Sequence, residues 1–317
     1  MESKPTLPSY HSILAKFVIA PPHRKSSYLL VEGKPDHQFW THNRRTDGAV
    51  KVHIQPMKGK DNIIGNEKKD ILGLPDLFKH YDETKEGGAE SIRKQVIGIH
   101  DDDYDQIVEP ESEIDPNLFS TKVPNDLEGL LVNLWLKKGA PKIPVGMWMM
   151  EKKKVSPAID VACIIGMLRV ANRIGNWRLI FKATERGQIQ PWLRESVRRS
   201  NQEGWDERVL VPQLIKAQPK FLKKKISRNK VVRGYREVKE RCEADAISRF
   251  ALVNGHDLCK IIQVMNRDEV KHWELEKELR LSNRWSKINK KTRKHFELFN
   301  RIDEWSKQNN SKIFKWQ

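Results

Sequence analysis

Cysteine is scarce in this chain. Its three cysteines in 317 residues, Cys163, Cys242 and Cys259, form no CxxC pair. That excludes a disulfide framework or a cysteine-based zinc site and fits reduced thiols in a cytosolic protein. Long apolar runs are missing too: no stretch of about 18 apolar residues stands out, so no membrane-spanning helix is expected. The amino terminus does not read as a secretory signal, because Ile13 to Ala20 is short, broken by Lys16 and followed by Pro21-Pro22. Only five tyrosines occur, and none has a context that supports a nucleophile, which argues against a topoisomerase. There is no internal repeat, and no RNA-recognition or homeodomain signature from which base specificity could be read.

Acidic residues are outnumbered, 42 Asp+Glu against 59 Lys+Arg, a net charge of +17 with a pI of about 9.7. The imbalance is local. Residues 1–140 carry 19 basic and 22 acidic side chains, whereas residues 141–317 carry 40 and 20. A near-neutral first half joined to a strongly basic second half suits a polyanion substrate: the basic part attracts phosphates and the other part is left for chemistry. The plainer reading of the charge is solubility.

Punctuation divides the chain into three stretches. Residues 1–24 hold Pro5, Pro8, Pro21 and Pro22 and read as a lead-in. Residues 25–140 alternate strand and helix signals, as in a small parallel-type sheet flanked by helices. Ser27 to Val31 reads as a buried strand, Gly33 as a sharp turn, and Pro35 as the first turn of a helix through about Arg45. Val50 to Gln55 reads as a second strand and Lys79 to Ser91 as a surface loop around Gly87-Gly88. Gln95 to His100 is a further buried strand, with Asp101 to Asp105 and then Glu109 to Asp115 as loops. Leu118 to Val123 is another strand, and Asn125-Asp126 caps a helix from Leu127. Residues 141–317 read as mostly helical: Ala158 to Asn172, Trp192 to Ser200, Val231 to Leu252, and a C-terminal helix with Phe296, Phe299, Ile302 and Trp305 on one face. The fold class expected is therefore α/β followed by a helical, basic domain.

Two of these strands stop abruptly at acid. Leu29-Leu30-Val31 runs into Glu32-Gly33-Lys34-Pro35-Asp36, and Val96-Ile97-Gly98-Ile99-His100 runs into Asp101-Asp102-Asp103-Tyr104-Asp105. Ligands of parallel sheets collect at the carboxyl ends of strands. Asp101 and Asp103 are one residue apart, so in extended backbone they project to the same side and can face one metal. Magnesium takes oxygen ligands and keeps several waters, and one or two such ions serve phosphodiester cleavage. Against this, Asp102 and Asp105 read as solvated loop acids. His100 reads as a packed or locally hydrogen-bonded histidine, His256 as structural in a helix lead-in, and Lys34 as equally a phosphate contact or a surface lysine.

The set resembles the TOPRIM superfamily. Leu30-Val31-Glu32-Gly33-Lys34-x-Asp36 is similar to its first motif, and Ile99-His100-Asp101-Asp102-Asp103-Tyr104-Asp105 to its DxD motif. Gly59-Lys60-Asp61-Asn62 lies where the family has a glycine turn. Asn125-Asp126-Leu127-Glu128 and Leu252-x-Asn254-Gly255-His256-Asp257-Leu258 resemble motifs of a branch near the OLD nucleases, which includes the effector nuclease subunit of the PARIS anti-phage system. The resemblance implies a TOPRIM-like sheet and Mg²⁺- or Mn²⁺-dependent strand cleavage. Glu32 would be general base or ligand, Asp101 and Asp103 metal ligands, Glu128 the completing acid and Lys34 a contact to the scissile phosphate. It further implies a toxic effector of RNA, tRNA especially, controlled by an ATPase partner and active as a homodimer. Two alternatives stay open: an OLD-like DNA nuclease or nickase, and a catalytically silent TOPRIM binding module.

The basic half has its densest run at Lys220 to Lys230, followed by Arg233, Tyr235 and Arg236. Arg284-Trp285-Ser286-Lys287 and Lys290-Lys291-Thr292-Arg293-Lys294 come later. Lysine and arginine neutralise phosphates, and interleaved aromatics stack on unpaired bases. The same runs also read as solvated helix faces or as a dock for an acidic partner protein.

Overall fold

The structure is a computed structural model. It describes residues 26–46, 51–56, 67–83, 93–110, 115–121, 125–137, 152–182, 184–185, 188–203, 207–223, 226–267, 271–281, 290–310, 312–315 and 317. The lead-in, Gly59 to Asn62, Gly87-Gly88, the acids at 111–114, Lys224-Lys225, Arg284 to Lys287 and the side chain of Lys34 lie outside the described residues.

The chain opens with β1 (Ser26–Val31), buried from Ser27 to Val31 as a central parallel strand requires. Gly33 turns it with φ 38°, a conformation glycine adopts without a Cβ clash. Helix α1 (Lys34–Asn43) follows and buries Phe39 and Trp40. It stops at Asn43, short of the expected Arg45, because the C-terminal tail binds its end. Arg44 forms a bridge with Phe314, Arg45 N donates to Ile313 O (2.8 Å), and Lys315 N donates to Asn43 O (3.0 Å).

Next come β2 (Lys51–Pro56), α2 (Glu67–Leu72) and α3 (Leu74–Glu83). Residues 79–83 are thus helical and not loop, since Leu74 and Phe78 bury one turn apart and carry the helix forward. Then follow β3 (Val96–His100), the one-turn α4 (Asp105–Val108), β4 (Leu118–Ser120) and α5 (Leu127–Leu136). Asp105 opens α4 and does not belong to the preceding loop.

The later elements are α6 (Lys152–Gly175), the short pair β5 (Thr184–Glu185) and β6 (Gln188–Ile189), α7 (Pro191–Glu203), α8 (Glu207–Ala217) and α9 (Lys220–Lys223). After them come α10 (Arg228–Ala244), α11 (Arg249–Leu252), α12 (Gly255–Met265), α13 (His272–Leu281), α14 (Lys290–Arg293) and α15 (Glu297–Gln308). The single helix expected over Val231 to Leu252 is two helices. Val231, Tyr235, Val238 and Cys242 bury one stripe, the stripe ends at Cys242, and Ala246 turns the chain with φ 50°.

These elements form two compact units that interleave along the chain, in place of a sequential break near 140. The first is Met1–Asp101 with Glu113–Thr121 and Arg280–Gln317; the second is Asp102–Ser112 with Lys122–Leu279. The first holds a sheet that is four-stranded among the described residues, in the order β2-β1-β3-β4 with every pairing parallel. Gly98 in β3 lets α2 and α3 close on the sheet: a Cβ there would lie 2.7 Å from Ile71 and 2.8 Å from Leu74. Helix α15 covers β4, with Leu298, Phe299 and Ile302 buried. The protein is thus α/β with a small parallel sheet and a large helical portion.

The second unit is built around α6, which packs against α10, α11 and α12. Its Val155–Gly175 segment has a mean hydropathy of 1.4 and is by length and composition apolar enough to cross a bilayer, contrary to the sequence expectation. It is 61% buried and carries Arg169, whose guanidinium binds Asp257. This is a core helix whose charges are distributed for packing.

Candidate functional site

Strands β1 and β3 are parallel neighbours in register Val31↔Ile99, so the residues after each end up side by side. Asp101 N donates to Glu32 Oε1 at 3.0 Å. The two acids the sequence marks first are therefore brought together at the carboxyl edge of the sheet, both half-buried. His100, just before them, is buried at 8% exposure, and its Nδ1 lies 3.0 Å from Asp101 O. Lys34 contributes backbone to α1. Hard carboxylate oxygens at a sheet edge suit Mg²⁺, which commonly takes one or two protein carboxylates and fills its shell with water and phosphate oxygens.

The other predicted acids belong to the second unit. Asp103 and Tyr104 have φ of 50° and 69°, so the backbone is not extended through the DxD segment and the shared-side argument for Asp101 and Asp103 does not apply. Two left-handed residues in a row are costly for L-amino acids, and here they are tied down. Asp102 N donates to Asn125 O (3.0 Å), Tyr104 N to Asn125 Oδ1 (2.6 Å) and Asp105 N to Asp102 O (2.9 Å). Arg173, from the last turns of α6, donates to Asp103 O (2.8 Å) and pairs with Asp105 (2.6 Å). The Asp103 side chain is left exposed. Asp102 is buried at 3% exposure and accepts from Gln106 N (3.4 Å), so it is not the solvated acid expected; α4 forms over it.

Glu128 sits in the first turn of α5 and is buried at 2% exposure. Asp126 caps that helix through Gly129 N (2.8 Å) and also takes Gly255 N, at 2.9 and 2.7 Å to its two oxygens. A Cβ at Gly255 would run into Glu128 Cβ and Gly129 N, so only glycine lets α12 approach α5 this closely. His256 then stands between two carboxylates, with Nε2 3.8 Å from Glu128 and Nδ1 3.0 Å from Glu276. Burial disfavours its charge, yet Glu128, Glu276 and Asp126 together push it up to about 10. Burial first, and Glu128 second, push Asp126 up to about 7.

Among the described residues no three His, Cys, Asp or Glu side chains converge on one metal position. No protein-family model matches the chain, and no curated protein matches it. The reading of the site therefore rests on its own geometry.

Sequence reasoning missed three participants. Arg173 and Glu276 lie far from the motifs in sequence, and nothing near them marks them out. Tyr104 is buried at 7% exposure and its hydroxyl finds no hydrogen-bond partner among the described residues. Burial raises its pKa, with Arg169 opposing, so it stays a neutral phenol.

Proposed function

We propose that the chain is a TOPRIM-like, Mg²⁺- or Mn²⁺-dependent nuclease whose preferred substrate is RNA, with tRNA the leading candidate. The observation that carries this reading is Glu32 beside Asp101 at the carboxyl ends of adjacent parallel strands, joined by a 3.0 Å hydrogen bond. In this reading Glu32 and Asp101 are the acids that the sheet edge offers a divalent cation, and the roles of Asp103 and Glu128 rest on the motif resemblance alone. Such an ion supplies Lewis acidity and an activated water at a phosphodiester. The amide of Asp101 orients Glu32, and the Asn125–Arg173 clamp fixes the turn that presents Asp103. The basic excess after residue 140 attracts the substrate backbone. The toxic-effector role, control by an ATPase partner and activity as a homodimer extend this proposal and rest on the motif resemblance.

A second reading, a catalytically silent TOPRIM module that binds nucleic acid, is favoured by one observation. Glu128, one of the acids assigned to the cation, is engaged by His256.

The test is cleavage of total RNA and of supercoiled and linear DNA by wild type and Glu32→Ala, with Mg²⁺, Mn²⁺ or EDTA. Metal-dependent RNA cleavage that Glu32→Ala lowers by at least about a hundredfold is expected for a residue at the reacting centre. DNA-only cleavage selects the OLD-like alternative. Binding of nucleic acid without cleavage by a folded wild type selects the silent module.

A further inference from the structure

The amino edge of the sheet, opposite the acids, holds a cleft of about 360 Å³. Its floor is the approach to β3 and β4, Arg93-Lys94 and Pro116-Asn117, and its wall is α15. Asn117 makes this edge rigid, since its Nδ2 donates to Arg93 O (2.5 Å) and Val96 O (2.7 Å). At about 3.3 Å per residue, the length of β3 separates the cleft from Asp101 by roughly 17 Å.

Arg301 is the informative side chain in it. Its guanidinium is half-buried, stacked 4.7 Å over the Phe119 ring, and donates one long bond to Asp115 O (3.4 Å). Among the described residues no carboxylate lies within ion-pair distance of it. Its neighbour Arg93 does have such a partner, Asp115 at 3.3 Å, and stacks 4.5 Å over Phe78. Burial lowers the Arg301 pKa in spite of the more distant Glu297, Glu304 and Asp115. A guanidinium carries five donors in a fork that matches phosphate oxygens. Removing it from water without an anion is costly, so a half-buried, stacked Arg facing a cleft is a site prepared for one.

The rest of the lining narrows the ligand. Lys94 adds positive charge, whereas Glu304, Gln308 and Asn309 offer acceptors beside it. The carboxyl end of α15 is also partially negative. A bare polyanion suits such a mixed lining poorly. A monoanionic or dianionic phosphate attached to a body rich in hydrogen-bond donors suits it well, and the volume is that of a small-ligand pocket.

We propose that this amino-edge cleft binds a nucleoside 5′-monophosphate, Arg301 and Lys94 taking the phosphate and Glu304, Gln308 and Asn309 facing the nucleoside. The site is separate from the carboxyl-edge acids and does not depend on the nuclease reading.

The test is calorimetric titration of the full-length chain with adenosine 5′-monophosphate, guanosine 5′-monophosphate, ribose 5-phosphate, adenosine, inorganic phosphate and a 5′-phosphorylated RNA tetramer. At least one of the two mononucleotides binds with micromolar affinity, adenosine does not, and ribose 5-phosphate and phosphate bind at least about tenfold more weakly. Arg301→Gln weakens the mononucleotide at least about tenfold. Lys94→Ala, at an exposed position, weakens it several-fold while circular dichroism shows the fold retained. Tetramer binding that the mononucleotide displaces identifies a strand end as the source of the ligand, and its absence identifies the free nucleotide. The proposal is overturned if no phosphate compound binds at about 1 mM. It is equally overturned if adenosine or ribose 5-phosphate binds as tightly as the mononucleotides, or if both variants bind as wild type does.

Discussion

His256 shows how strongly neighbours decide a residue's chemistry. A histidine after a glycine at a helix start carries no particular charge in isolation. Between Glu128 and Glu276 its pKa is pushed up to about 10, from an ordinary value near 6.5. A folded-state pKa above the unfolded one means that the stabilisation is fully present below about pH 6.5 and is lost as pH rises through about 10. Asp126, pushed up to about 7, acts in the same direction: ionising it in the folded state is unfavourable, so stability falls as pH rises from about 4 to about 7. Urea denaturation of wild type is therefore expected to show stability declining from pH 6 to pH 10. In His256→Gln the upper part of that decline disappears. The imidazole is 44% exposed, so solvent screens the pair and the His256 share is no more than about 1 kcal/mol. A wild-type profile that is flat over this range, or one identical in His256→Gln, would contradict the assignment. The same residue-scale logic holds at Asp103 and Tyr104. Their left-handed backbone is not encoded by glycine but imposed by Asn125 and Arg173, and for that reason the DxD spacing misled an argument from extended chain.

At the scale of elements, the helical unit is held by few buried charges placed at crossings. Arg169 on α6 donates through Nε (3.0 Å) and Nη2 (2.7 Å) to one oxygen of Asp257 on α12 and lies 4.9 Å over the Phe181 ring. Asp257 is 2% exposed, so removing Arg169 leaves a buried carboxylate whose remaining cation is Lys260, 3.8 Å away. Arg169→Leu is expected to lower the unfolding free energy by about 3–5 kcal/mol, the scale of a broken buried pair, and Arg169→Leu with Asp257→Asn to recover much of it. Chemical denaturation of the two variants checks this; a single substitution costing less than about 1 kcal/mol would show that the pair is dispensable. Element existence was legible from periodicity. The strands at Ser27 and Gln95, the helix from Leu127 and the C-terminal helix all carry their apolar stripes in the sequence. Element ends were less legible, because tertiary partners and local turns set them: α1 stops where Phe314 pairs with Arg44, and α10 ends just before Ala246 turns the chain.

At the scale of the whole molecule, charge asymmetry makes a prediction that does not depend on the active-site reading. A net charge of +17, concentrated after residue 140, should make RNA binding strongly salt-dependent. The slope of log affinity against log salt for single-stranded RNA is expected to be steeper than about −3, the value for roughly four neutralised phosphates. Filter binding between about 50 and 300 mM salt measures it. A slope near zero would mean that the basic side chains serve solubility or a protein partner instead.

The sequence by itself determined the composition-level character of this protein, the strand–helix alternation, and the two places where buried strands run into acid. These are local properties: burial patterns repeat every two or three to four residues, and acids after an apolar run need no distant partner to be noticed. Tertiary structure alone decided which acids meet. Parallel register placed Glu32 against the Asp101 amide, 69 residues away in sequence. The close approach at Gly255 brought His256 to Glu128, and the return of the C-terminal helix to the sheet set Arg301 over Phe119 in its cleft. Each of these contacts joins residues far apart in the chain, where the closure of long loops and the fit of packed faces, not local preference, choose the neighbour.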